Sequence, residues 1–254
     1  MGHARLDRSF GGAVQMALRL IYPPRCLGCG GLVESDFGLC GPCWRDTPFI
    51  GGLACDGCGL PLPGGRPGEV ARCDGCLADP PPWAQGRAVM LYEGMGRKLV
   101  LGLKHGDRHD IAAPSAAWLA EAAEGIVARG AVIAPIPLHW RRRVRRGYNQ
   151  SALLSRGLAR ALAAHAVLDL PDLLERPRAT PSLDGRQRAE RRAILKGAIR
   201  VAPRYADRLA GRPVLLVDDV LTSGATFSAA TRACQAAGAA TVAVLALARV
   251  GKAP

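Results

Sequence analysis

The sequence predicts an α/β protein with a central, mostly parallel sheet, preceded by a small cysteine-rich module. Three observations carry this. Val214 to Val217 is an uninterrupted run of Val and Leu, which suits a strand buried on both faces. Further apolar runs of strand length, at 131–136 and 241–249, alternate with segments of helical period. Eight of the nine cysteines form four C-x-x-C pairs that end at Cys76.

The central run reads V-L-L-V-D-D-V-L-T-S-G-A-T over 214–226. Asp218 and Asp219 are expected where the strand ends. Open α/β sheets bind ligands outside the carboxyl ends of their strands, so these acids are placed to meet a polyol or a metal. Thr222, Ser223, Gly224, Ala225 and Thr226 form a small, hydroxyl-rich loop before a helical pattern over 227–237. Such a loop turns backbone N–H groups inward at a helix N-terminus, where the dipole also favours an anion. The combination describes a site for a sugar phosphate. A buried strand running into an ordinary capped helix is the plainer reading, but chance seldom supplies both acids and the complete loop in order.

At 254 residues the chain has room for a normal core and a smaller module. Its longest apolar stretch, 239–248, is of strand length, so no membrane span is expected. Residues 1–22 carry Arg5, Arg8 and Arg19 beside Leu6, Phe10, Val14, Ala17, Leu18 and Ile21. This pattern predicts an amphipathic N-terminal helix packed on the domain, not a signal peptide, and hence a cytoplasmic protein. The net charge is +13, unevenly spread. Residues 1–82 hold seven Lys/Arg against eight Asp/Glu, and the rest hold 27 against 13. The basic excess thus lies with the phosphate motif, which suits pyrophosphate, nucleic acid or both. Arginine-rich composition from a GC-rich genome would also produce surface Arg.

In chain order, the cysteine pairs are Cys26/Cys29, Cys40/Cys43, Cys55/Cys58 and Cys73/Cys76, within a module expected over 23–78. Glycines beside them make knuckles whose N–H groups can point at thiolate sulfur. Two such knuckles supply the four tetrahedral thiolates that Zn²⁺ takes, so two structural zinc ions are expected. Sequential pairing makes two consecutive ribbons; a cross-braced pairing uses the same ligands. Disulfides and an iron–sulfur cluster fit the spacing and the expected compartment less well. Modules this small should be unfolded without metal. Cys234 is expected in the core.

A Pro-rich stretch, 79–86, marks a short, stiff boundary before the main domain at 87–254. There a strand is expected at 87–92, helices at 97–104 and 113–129, and a strand at 131–136. That strand leads into His139, Arg141, Arg142 and Arg143, and Arg145 and Arg146 follow before a helix at 151–163. Arginines at a strand's carboxyl end suit pyrophosphate. Interleaved with Trp140 and Tyr148, they also suit single-stranded nucleic acid, and a solvated basic turn is the plainer reading. Residues 164–185 read as an edge strand and a mobile loop. The basic stretch 186–196 reads as a lid or a solvated helix, and Val201 as part of a further strand.

The strand, acidic pair and T-S-G-A-T loop resemble the phosphoribosyl-pyrophosphate (PRPP) motif of type I phosphoribosyltransferases. The resemblance implies that Asp218 and Asp219 hold ribose hydroxyls and that Thr222 to Thr226 hold the 5′-phosphate. With the four knuckles in front, roughly 23–249 resembles the ComF family of competence proteins. Tyr92-Glu93-Gly94, Leu103 to Asp107, Pro135 to Leu138, and Arg146-Gly147-Tyr148-Asn149-Gln150 belong to the same resemblance. It implies a type I phosphoribosyltransferase-like fold, PRPP bound with Mg²⁺, and handling of single-stranded DNA during DNA uptake. It further implies ribbons that dock a protein partner of the uptake machinery. The alternative is an active phosphoribosyl transferase acting on an amine or base acceptor. The chain departs from the family between 180 and 199, where Leu183, Arg186 and Ile194 replace the usual Gln, Leu and Asn.

Overall fold

The computed structural model describes residues 22–34, 38–65, 69–105, 108–138, 147–177, 190, 194–195 and 197–251. The expected helix over 1–22 lies outside them apart from Tyr22, as do His139, Arg141, Arg142, Arg143, Arg145 and Arg146, and most of 178–196.

The cysteine module contains two short helices, α1 (Gly41–Arg45) and α2 (Asp74–Ala78). The main domain then runs β1 (Gln85–Leu91), α3 (Gly94–His105), α4 (Ala112–Ala123), β2 (Val132–Pro135), α5 (Gln150–Ala161), β3 (Leu168–Asp169), β4 (Leu174–Glu175), β5 (Arg200–Val201), α6 (Ala206–Leu209), β6 (Pro213–Leu221), α7 (Ala225–Ala236) and β7 (Thr241–Arg249). Five strands form one sheet in the order β1-β7-β6-β2-β3, with every pairing parallel. The predicted α/β class with a parallel sheet is therefore the one observed. β4 and β5 make a separate antiparallel pair, which is where the strand expected around Val201 goes.

The continuous apolar strands are explained by burial on both faces. On one face Ile133, Leu215, Val217, Leu245 and Leu247 pack against Leu99 and Leu103 of α3, Leu119 of α4, and Leu154 and Leu158 of α5. On the other, Val132, Leu216, Val242 and Val244 pack against Phe227, Ala230 and Cys234 of α7. Cys234 is fully buried, as expected.

The cysteine module straddles the β1 edge. Leu27, Leu39 and Phe49 join the α3/α4 face, while all four cysteines from Cys55 to Cys76 belong to the α7 face. Ile50 N donates to Val89 O, Leu91 N to Pro48 O and Gly86 N to Asp56 O, so the outer strand of the sheet is capped along its length. An uncovered edge strand would template aggregation. Inside the expected boundary stretch, Trp83 is buried and its Nε1 donates to Gly57 O at 2.6 Å. β1 accordingly starts at Gln85, two residues before the strand expected from Arg87.

One strand differs in a way that bears on the site. The sequence places the end of the central strand before the acids, but β6 runs through both of them to Leu221. Its pairing with β2 stops at Val217, whereas its pairing with β7 continues through Asp218↔Ala246 to Leu221↔Arg249. Parallel hydrogen bonding on one side keeps the backbone extended where the other side has opened.

Candidate functional site

That opening lies between β2 and β6, whose connections leave in opposite directions: β2 leads outward to β3, and β6 to β7. This is the topological switch point of the sheet, where crevices of open α/β folds form.

The acids in the crevice are held by residues far from them in sequence. Asn149 caps α5, its side chain accepting from Ser151 N and donating from Nδ2 to Ile136 O at 3.2 Å. The cap ties the helix start to the end of β2. The next two residues then reach the acids. Ser151 Oγ donates to Asp218 Oδ1 at 2.7 Å, and Gln150 Nε2 donates to Asp219 Oδ2 at 2.9 Å. Lys104 Nζ, from the last turn of α3, lies 3.1 Å from Asp219 Oδ2. Asp219 N donates to Asp218 Oδ1. Tyr148 Oη donates to Leu103 O at 2.6 Å, binding the two motif segments to each other. Burial, followed by the charge of Asp219, pushes the Asp218 carboxyl up to about 7, against the opposing pull of Ser151 and Lys104.

The hydroxyl-rich loop follows at once. Gly224 has φ 76°, the left-handed region, and serves as N-cap of α7, which begins at Ala225, two residues before the expected start. A Cβ on Gly224 would also meet the Trp83 ring at 2.8 Å. The first N–H groups of a helix have no partner within it, so the loop and first turn present donors together. Ser223 Oγ is buried without a hydrogen-bond partner among the described residues. Thr222 is exposed, Ala225 is buried, and Thr226 is half-buried.

The cysteines form two four-thiol clusters, Cys26/Cys29/Cys40/Cys43 and Cys55/Cys58/Cys73/Cys76, with the sulfurs of each set within 4.8 Å of one another. Pairing is thus sequential. Cys40 N donates to Cys26 Sγ and Cys73 N to Cys55 Sγ, both at 3.2 Å, and Gly28 N and Gly31 N donate to Cys26 and Cys29. Burial opposes ionisation, yet these backbone donors bring the Cys26 thiol down to about 6 and Cys55 to about 7. Four converging sulfurs, with N–H donors on the first knuckle of each set, fit tetrahedral zinc, and both sets are four-cysteine zinc-binding sites.

Lys104, Gln150 and Ser151 carried no chemistry that could be derived from the sequence. Lys104 and Gln150 lie in segments that the ComF resemblance covers, and Ser151 opens the helix expected over 151–163. These were the available signals.

The architecture defines the class: a double zinc ribbon capping the edge of a parallel α/β sheet. A family model for the double zinc ribbon domain matches residues 17–78. DNA utilization protein YhgH of Shigella flexneri is 34% identical over 242 residues, covering 91% of this chain and 99% of the relative. Its counterpart in Escherichia coli K12 is 33% identical over 242 residues, with the same coverage. Competence protein F of Haemophilus influenzae is 29% identical over 247 residues, covering 89% of this chain and 96% of the relative. The chain belongs to the ComF family, together with these DNA-utilization and competence proteins. Solved structures with partial likeness include one from Thermus thermophilus (19% identity, TM-score 0.33, 54% of this chain and 82% of that one). Another is an HPRT whose invariant aspartic acid is replaced by glutamic acid (15% identity, TM-score 0.32, 59% of this chain and 67% of that one). No helix among the described residues is long and apolar enough to cross a membrane.

Proposed function

We propose that this chain binds PRPP, or a related sugar phosphate, in the β2/β6 crevice and handles single-stranded DNA in the cytoplasm during DNA uptake. The observation that carries the first part is the adjacency, at the switch point, of the acid pair on β6 and the hydroxyl-rich loop capping α7. Asp218 and Asp219 face the ribose hydroxyls, and Thr222, Ser223, Gly224, Ala225 and Thr226 take the 5′-phosphate through backbone N–H groups and the Ser223 hydroxyl. Mg²⁺ arrives with the pyrophosphate, whose oxygens it binds, as it commonly does with phosphate ligands. His139, Arg141, Arg142, Arg143, Arg145 and Arg146, which follow β2, supply positive charge for pyrophosphate or DNA phosphates.

The DNA role is carried by the family relatives, named for DNA utilization and competence. The basic excess in 87–254 agrees with it, and the ribbon module over 23–78, joined through 79–86, is the part left for a protein of the uptake machinery. A second reading, phosphoribosyl transfer to an amine or base, draws on Asp218. A carboxyl with its pKa at about 7 can exchange a proton with an acceptor at neutral pH.

Calorimetric titration of zinc-loaded protein with PRPP and Mg²⁺ tests the site, with Asp219→Asn as the control expected to lose binding. No heat with the wild type rejects the sugar-phosphate reading. Oligonucleotide affinity measured against salt tests the DNA role: a steep fall supports it, and a flat response rejects it. Release of pyrophosphate in the presence of an acceptor would establish the second reading.

A further inference from the structure

The second zinc site and the hydroxyl-rich loop share a wall. A cavity of about 250 Å³ is lined by Cys58, Cys73 and Cys76 on one side and by Thr222, Ser223 and Gly224 on the other. Two side chains cross between them. Arg249, the last residue of β7, donates from Nη1 to Leu221 O at 3.1 Å and to Thr222 O at 2.9 Å, while its Nη2 lies 3.9 Å from Cys58 Sγ. Trp83 donates to Gly57 O, inside the Cys55-x-x-Cys58 knuckle, and its ring lies where a Gly224 Cβ would project. The same ring meets Phe227 of α7 edge-on, with centroids 6.1 Å apart.

We propose that Arg249 is a positioning residue that couples zinc in the second ribbon to the geometry of the 222–226 loop. A guanidinium is planar, always charged and carries five donors, so it can hold the Cys58 sulfur and the Leu221, Thr222 and Val250 carbonyls at once. Zinc would hold Cys58 Sγ at a fixed point. The sulfur, 3.9 Å from Nη2, anchors one arm of the fork, and the other arm sets the peptide groups of Leu221 and Thr222, from which the loop departs. Removing the metal leaves the Cys58 side chain free to move, and the arginine loses its anchor. The first ribbon has no such route among the described residues, because Leu27 and Leu39 pack it, beside Met95 of α3, against the opposite face of the sheet. The coupling extends the sugar-phosphate reading of the loop but does not need a bound sugar to be observed. Where ligand does bind, linkage is reciprocal: zinc raises its affinity by the factor by which the ligand raises that of zinc.

The test compares wild type, Arg249→Met and Arg249→Lys, all loaded with two zinc equivalents. Zinc is titrated away with a chromogenic chelator, and amide hydrogen exchange is followed for 221–228 and, as an internal control, for 132–135. Met keeps the packing of the stem, and Lys keeps the charge without the fork. Outer-shell partners of metal ligands commonly contribute 10- to 100-fold in affinity. The expected result is that both variants lose one of two zinc equivalents about 10-fold more readily, with faster exchange at 221–228 and none of this at 132–135. In wild type, half-loaded so that the second ribbon is the one emptied, as read from exchange over 55–76, the same local change should appear. Unchanged exchange at 221–228 in both the variants and the half-loaded wild type overturns the coupling, as does rescue by Lys equal to wild type. A PRPP titration on the same samples separates the two ideas. Absent PRPP binding with intact exchange coupling rejects the sugar-phosphate reading alone, and binding with no coupling rejects Arg249 alone.

Discussion

Gln150 and Asp219, 69 residues apart in sequence, meet through a 2.9 Å hydrogen bond in the interior. With Lys104 on the same carboxylate oxygen, the bond fastens the N-terminus of α5 and the C-terminus of α3 to the acid pair on β6. The crevice is thereby built from three segments, and its charge balance depends on each.

Removing Lys104 should leave Asp219 buried with one neutral donor. Breaking a buried ion pair costs roughly 3–5 kcal/mol, and the partial exposure of Lys104 reduces this to about 2–3 kcal/mol for Lys104→Met. Urea unfolding measures it. Adding Asp219→Asn should recover much of the loss, because the uncompensated charge is gone, and a double-mutant cycle isolates the pair.

Stability should depend on Asp218 with an unusual sign. Its folded-state pKa, about 7, lies above the ordinary 3.8, so between these values the folded protein holds more protons than the unfolded chain. The stabilising contribution is full below about pH 4 and is lost as pH rises through 7. Asp218→Asn should flatten this fall between about pH 4 and 8 and stabilise the protein at about pH 8, as read from urea midpoints across the range.

Gly224→Ala places a Cβ against Trp83 at a residue with φ 76°. A cost of about 1–3 kcal/mol follows from backbone strain of this kind, with further loss from the displaced ring. Thermal unfolding would report the cost. PRPP titration should show a larger proportional loss than stability does, since the loop itself moves.

Chelation of both zinc ions should do more than unfold the ribbons. The second cysteine set is part of the core around Trp83 and Phe227, so its release exposes that indole and uncovers the β1 edge. A red-shifted tryptophan emission and concentration-dependent aggregation are expected, with recovery on adding two equivalents of zinc. Emission that stays put after complete zinc removal would contradict this packing.

Local sequence determined everything that depends on neighbours in the chain. The C-x-x-C spacing specified metal chemistry because a knuckle is a four-residue object. The apolar runs specified strands buried on both faces, and T-S-G-A-T specified a tight turn into a helix because glycine accepts the left-handed backbone of Gly224 without strain. Three-dimensional packing decided the rest. The extension of β6 through Asp218 and Asp219 and the convergence of Lys104, Gln150 and Ser151 on those acids follow from which strands lie side by side, and the sequential zinc pairing follows from which knuckles converge. Arg249 illustrates the difference most plainly. In sequence it is one arginine among many at the end of a strand, and only the parallel register of β7 against β6, with a ribbon folded over the sheet, brings its guanidinium between a zinc ligand and the loop.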